Sequence, residues 1–284
     1  KAPRRWRDLV GAMGAEGWEG LADHSLQAFG AWSGASRLVR RRLLEAWLEE
    51  LVRSREPLAL EMTRETGKPI TLARGEVGRA EATLRATLEA VASFGEVSVP
   101  YDLMAGADGC RATFRRFPLG PVLAITPFNF PVNLAMHKLA PALGAGCSVI
   151  WKPCPQAPRT SRLLWEGFEA ARMRVAAPDH LLQLAGSDPA KAEALAQDPR
   201  IAAVSFTGSE RVGRRLEQVL AGKRLLLGDG DGLYLLLFVK GGAADAFWGK
   251  AATTSGAYPT VTWGDTITGN LLPVTLGNVV GGGR

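Results

Sequence analysis

The chain has 284 residues, 46% hydrophobic and 22% charged, enough to bury a sizeable core in one large or two medium domains. This balance excludes a disordered or fibrous chain, and no apolar run reaches the roughly 20 residues of a membrane helix. The net charge of +6 points to anionic small ligands rather than nucleic acid, because the arginines are scattered through RRWR, RLVRRR, FRR and GRR without aromatic platforms between them.

The N-terminal KAPRRWRDLV lacks the apolar core of a signal peptide. Three cysteines, Cys110, Cys147 and Cys154, cannot all pair, and none stands at metal-ligand spacing from a histidine. No metal site is expected, and the expected compartment is a reducing cytoplasm.

Residues 38–66 read as helix, with Leu43, Leu44, Trp47, Leu48, Leu51 and Val52 at three- and four-residue spacing. Gly67 and Pro69 end it. A second amphipathic helix is predicted over 72–91 on Val77, Leu84, Leu88 and Val91, followed by a Gly- and Pro-punctuated stretch with room for a strand at 112–117. From Val122 onward VLAITPF, CSVIWKP, HLLQLAG, IAAVSF and KRLLL read as strands. They alternate with the helices NLAMHKLAPALGAG, PRTSRLLWEGFEAARM, DPAKAEALAQ (Asp188 as cap, Pro189 in the first turn) and SERVGRRLEQVLA. This alternation predicts an α/β fold, a mostly parallel sheet with helices on both faces and ligands beyond the carboxyl ends of its strands. After Leu226, GLYLLLFV reads as one more buried strand, and the Thr-, Gly- and Val-rich end reads equally as short strands or as poorly ordered chain.

Three segments carry chemistry. SFTGSERVG, residues 205–213, follows a strand and opens a helix, so Gly208 and Ser209 stand where unpaired N–H groups suit a pyrophosphate, and Gly213 allows close helix packing. From this spacing alone, an ordinary Ser cap after a Gly turn is the better reading. VIWKPCPQAP places Lys152 at a strand's carboxyl end, where it meets a ribose or phosphate, or else only solvent. ITPFNFP holds Asn129 between Pro127 and Pro131, where its amide either donates to an oxyanion or simply satisfies the turn.

Together these segments resemble the aldehyde dehydrogenase superfamily. The resemblance is carried by RRFPLGPVLAITPFNFPVNLAMHKLAPALGAGCSVIWKPCPQAP, DHLLQLAGS and VSFTGSERVGRRL, with AFGAW, ETGKP and Glu76 upstream, and it covers about residues 28–227. It implies a Rossmann-like cofactor domain, a catalytic domain, a small bridging element used in oligomers, and NAD or NADP as cofactor. It implies that Lys152 binds the adenosine ribose, Gly208 and Ser209 the pyrophosphate, and Asn129 the oxyanion. Thr126, Pro127 and Phe128 would line the approach to the nicotinamide, and Gly186 would shape the cleft. Pro155 stands where NAD-preferring members often carry a glutamate, which removes a bar to NADP.

Two parts of the family pattern are missing. The general-base glutamate is replaced by Leu226 in LLLGDG, with Asp229 in place of the second glycine. In WGKAATTSGAYPTV, Pro259 falls where the nucleophilic cysteine belongs, and no cysteine follows Cys154. The resulting division is a helical lead-in over 1–110, a dinucleotide-binding domain over 111–238 and a divergent remnant of the catalytic domain over 239–284. Three readings stand open: a truncated, inactive aldehyde dehydrogenase, a dinucleotide-binding pseudoenzyme, and a structural subunit that forms a homo-oligomer or pairs with a full-length relative. A small aldehyde is the expected substrate of any activity, with no membrane or nucleic-acid partner.

Overall fold

The computed structural model describes residues 18–93, 95, 97–99, 112–114, 116–186, 188–220, 224–228, 247–248, 260–265 and 271–275. Four helices come first: α1 (Trp18–Trp32), α2 (Arg37–Arg53), α3 (Arg55–Thr66) and α4 (Ile70–Ser93). A short antiparallel pair follows, β1 (Val97–Val99) with β2 (Ala112–Phe114). Then comes the alternating part: β3 (Val122–Ile125), α5 (Asn133–Ala145), β4 (Val149–Lys152), α6 (Pro158–Arg174), β5 (Leu182–Leu184), α7 (Pro189–Gln197), β6 (Ala203–Thr207), α8 (Glu210–Val219) and β7 (Arg224–Gly228). Three further strands, β8 (Phe247–Trp248), β9 (Thr260–Asp265) and β10 (Leu271–Thr275), form a separate antiparallel sheet. The buried strand expected from GLYLLLFV lies outside the described residues, as do Cys110, Asp229 and Pro259.

The central sheet has five strands in the order β5-β4-β3-β6-β7, all parallel. The chain winds outward from β3 through β4 to β5, then returns to the other side of β3 as β6. The order therefore reverses between β3 and β6, and a crevice opens there at the carboxyl ends.

Strand periodicity divides the core into two layers. Ala124, Val149, Trp151 and Leu182 face α2 to α6 and join Leu43, Trp47, Met62, Leu84, Met136 and Phe168 in one cluster. Leu123, Ile125, Ile150, Val204 and Phe206 face the other way, onto Leu21 of α1, Leu195 of α7 and Leu216 of α8. The leading helices and the sheet thus share a core.

The helix expected over 38–66 is two helices. Ser54 ends α2, its N–H donating to Glu50 and Val52 carbonyls, and α3 starts at Arg55. The reason is Pro57: inside one continuous helix its ring would meet the carbonyl of Arg53 and it could give no N–H. Restarting at Arg55 puts the proline in a first turn, where no N–H is required.

Gly146 ends α5 at φ +97°, and a Cβ there would lie 2.5 Å from the Arg40 guanidinium carbon. That guanidinium cannot retreat freely, because it is buried and donates to the carbonyls of Ala145 at 2.9 Å and Ser33 at 2.7 Å. Burial holds it below the ordinary arginine pKa. Gly146→Ala should therefore lower stability by about 1–3 kcal/mol, read as a reduced urea midpoint; an unchanged midpoint would contradict the packing described.

Candidate cofactor site

A cavity of about 400 Å³ opens beyond β3 and β4, between α7 and α8. Its apolar lining is Ile125, Pro189, Ala192, Val212 and Leu216, and its charged lining is Lys152, Glu193, Arg211 and Arg215. Lys152, the last residue of β4, is half-buried, and its ammonium has no hydrogen bond or ion pair among the described residues. Burial pushes its pKa below the usual lysine value, a desolvation cost that an anionic ligand beside the ammonium would offset. Glu193 accepts from the Arg215 fork at 2.9 and 3.3 Å, tying α7 to α8.

Ser209 is the N-cap of α8, the helix that supplies four of those lining residues, and its hydroxyl makes no capping bond. The first-turn amide groups of α8 and this hydroxyl stand just beyond β6. Gly208 precedes it, and a Cβ there would come within 2.6 Å of the Phe206 ring, so the turn excludes a side chain. Gly213 is buried in α8 and its N–H donates to the Ser209 carbonyl at 3.0 Å. Gly186 follows β5; a Cβ there would touch the Trp18 indole at an ordinary 3.5 Å, so the protein itself leaves room for a side chain.

The segment after β3 is fixed from several sides. Thr126 is buried, donates its N–H to the Lys152 carbonyl at 3.2 Å, and accepts from the Trp151 indole at 2.9 Å. Its hydroxyl is thereby engaged within the fold. Pro127 is half-buried, whereas Phe128 and Asn129 are exposed and do not line the cavity. The Asn129 side-chain oxygen accepts from the Phe130 N–H at 3.0 Å, which leaves its NH₂ as the group free to donate. The Asn129 carbonyl accepts from Lys68 at 2.6 Å, and Lys68 also pairs with the buried Glu76. Glu76 in turn accepts from the N–H groups of Val132 at 2.9 Å and Asn133 at 3.1 Å. Farther along α5, the Lys138 ammonium donates to the Ser205 hydroxyl at 3.2 Å, and burial pushes its pKa down to about 8.

A sequence model of the aldehyde dehydrogenase family matches residues 10–230. The chain belongs to the aldehyde dehydrogenase family. It is 35% identical over 189 residues to a succinate-semialdehyde dehydrogenase of Paenarthrobacter nicotinovorans, covering 66% of this chain and 40% of that one. Among solved structures it superposes on an aldehyde dehydrogenase of Brucella melitensis biovar abortus 2308 with a TM-score of 0.69 at 32% identity, over 75% of this chain and 43% of the other. A TM-score of 0.69 at 29% identity links it to an NADP-dependent glyceraldehyde-3-phosphate dehydrogenase of Bacillus halodurans C-125 complexed with NADP, over 75% and 44%. The chain spans about two fifths of the length of the curated relatives it matches.

Cys147 and Cys154 are free and buried at the two ends of β4. Burial pushes the Cys154 thiol above its ordinary pKa, outweighing the nearby Lys152 charge. Leu226 lies on β7 opposite Ser205 in the parallel register. No group of three or more metal-ligating side chains occurs among the described residues, and none of the described helices is long and apolar enough to cross a membrane. Sequence reasoning missed Glu193, Arg211 and Arg215. Their signal was present as charged positions on the helices flanking the crevice, but it read as a solvated helix face until α7 and α8 were brought together.

Proposed function

We propose that residues 111–238 are a dinucleotide-binding unit for NAD or NADP, led in by the helices of 1–110, and that the 284-residue chain does not by itself oxidise an aldehyde. The observation that carries this reading is the cavity beyond β3 and β4, with Lys152, unpaired among the described residues, on one side and the N-terminus of α8 on the other. At about 400 Å³ it lies at the small end of the roughly 300–1,000 Å³ range of ligand sites, room for the adenosine half of a dinucleotide. Lys152 then serves the adenosine ribose, and Gly208, Ser209 and the first-turn amides of α8 serve the pyrophosphate, with Gly213 keeping α8 close to its strand. Gly186 shapes the cleft, and Thr126, Pro127 and Phe128 border the nicotinamide end. Asn129 is the donor to a carbonyl oxygen, and residues 239–284 stand for a divergent catalytic part.

A purely structural subunit has no use for a half-buried lysine held without a partner, so the site favours a dinucleotide-binding pseudoenzyme as the second reading. The cofactor supplies hydride acceptance; this chain's residues bind and orient it. Lys152→Ala removes a charge-assisted contact and should weaken dinucleotide binding about tenfold or more in calorimetric titration. Ser209→Ala removes a neutral one and should cost about two- to tenfold. Unchanged affinity in both variants would count against the assignment.

A further inference from the structure

We infer that the cavity selects NADP over NAD, and that Arg211 is the residue that does so, by pairing with the 2′-phosphate of the adenosine ribose. This rests on the reading of the cavity as the adenosine pocket.

The inference comes from the distribution of charge around the cavity. Three cations line it, Lys152, Arg211 and Arg215, against one anion, Glu193. Glu193 is committed to Arg215 through two hydrogen bonds, so this pair is neutral and its guanidinium is fixed in place. Lys152 and Arg211 remain without an ion-pair partner among the described residues, which leaves two uncompensated positive charges on one cavity. The pyrophosphate does not account for them, because the proposed reading gives it the amides at the start of α8. The acidic side chain at that start, Glu210, is held by Arg214 at 2.5 Å and does not neutralise Arg211.

The two cofactors differ at one group on the ribose. NAD presents a neutral 2′-hydroxyl, which sites of this architecture hold with a carboxylate that accepts its proton; NADP presents a phosphate, which they accommodate with a nearby arginine. Here the one carboxylate among the described residues lining the cavity is already taken, and the loop after β4 offers Pro155 rather than an acid. A free 2′-hydroxyl thus meets no acceptor, whereas a phosphate dianion meets two cations. Arg211 supplies a planar fork suited to phosphate oxygens, on the exposed rim where such a group stays partly hydrated. The apolar surfaces of Pro189, Ala192, Val212 and Leu216 remain for the base.

Isothermal titration calorimetry of the 284-residue chain with NADP and with NAD, at fixed salt, tests this. NADP should bind at least about tenfold tighter than NAD. Arg211→Ala should lower NADP affinity by about tenfold and leave NAD within about twofold, collapsing the preference, while Arg211→Lys retains part of it. Arg211 is exposed and has no partner among the described residues, so an unchanged melting curve should show that the variant folds. Equal affinities in the unsubstituted chain overturn the inference and leave the dinucleotide reading standing. A preference that survives Arg211→Ala, or equal weakening of both cofactors, overturns the role of Arg211. Absence of binding by either cofactor overturns the inference together with the reading on which it rests.

Discussion

Mixed with NADP or NAD and succinate semialdehyde, the 284-residue chain should form no reduced cofactor above background. The family reaction requires a thiolate to add to the aldehyde, since the resulting alkoxide expels the hydride, and no cysteine follows Cys154 in this chain. Cys147 and Cys154 flank β4 and are buried, and that burial pushes the Cys154 pKa up, away from a reactive thiolate. Asn129 can polarise a carbonyl, but one oxyanion donor contributes roughly 2.7–4 kcal/mol, whereas enzymatic acceleration demands about 8–23 kcal/mol. Removing the nucleophile therefore leaves a deficit that the remaining donor cannot fill. Turnover that persists in the double variant Cys147→Ala, Cys154→Ala would show that hydride transfer here begins without a thiohemiacetal, and the inactive reading would be wrong.

How much could be read from the sequence depended on whether the deciding contact was local. The alternation from Val122 to Gly228 was legible because each strand is a short apolar run and α6, α7 and α8 each open on a proline or a capping residue of their own. Asp188 is one such signal: its carboxylate accepts from the N–H groups of Ala190 and Lys191, as an Asp-Pro start predicts. Ser209 was legible as a cap position for the same reason, although its hydroxyl makes no capping bond. The division at Ser54 was readable too, from Pro57, but the apolar stripe runs through it and hid the break. Long-range partners left no comparable trace. Nothing near Glu193 in the chain announces Arg215, 22 positions on, and the cavity wall they form exists only once β6 has crossed back beside β3. Glu76 falls on the same side: it is one of three glutamates on α4, with Glu81 and Glu89, and nothing near it in the chain announces the amides of Val132 and Asn133.

Replacing Glu76 should produce the largest loss of stability among single substitutions around the Asn129 turn. The residue is fully buried on α4, yet its carboxylate is matched on every side. One oxygen takes the Val132 and Asn133 N–H groups at 2.9 and 3.1 Å, and the other takes the Lys68 ammonium. Those two amides belong to the start of α5, whose own N-cap, Val132, has no side chain able to accept from them. Glu76 caps that helix from a different one, and the partial positive charge at the helix start favours an anion in this place. Glu76→Ala leaves a mostly buried Lys68 ammonium and two backbone donors without acceptors, a loss of about 3–5 kcal/mol, as when one partner of a buried ion pair is deleted. Glu76→Gln keeps the shape and one acceptor oxygen but removes the charge, and should cost about 1–3 kcal/mol. Both are measurable as shifts in urea midpoint at constant slope. Because Lys68 also holds the Asn129 carbonyl, the Gln variant should speed hydrogen exchange at Val132 and Asn133 ahead of the amides of the β3–β4 core. A cost below about 1 kcal/mol for Glu76→Ala, with those amides unchanged, would mean that water caps α5 as well as the carboxylate does.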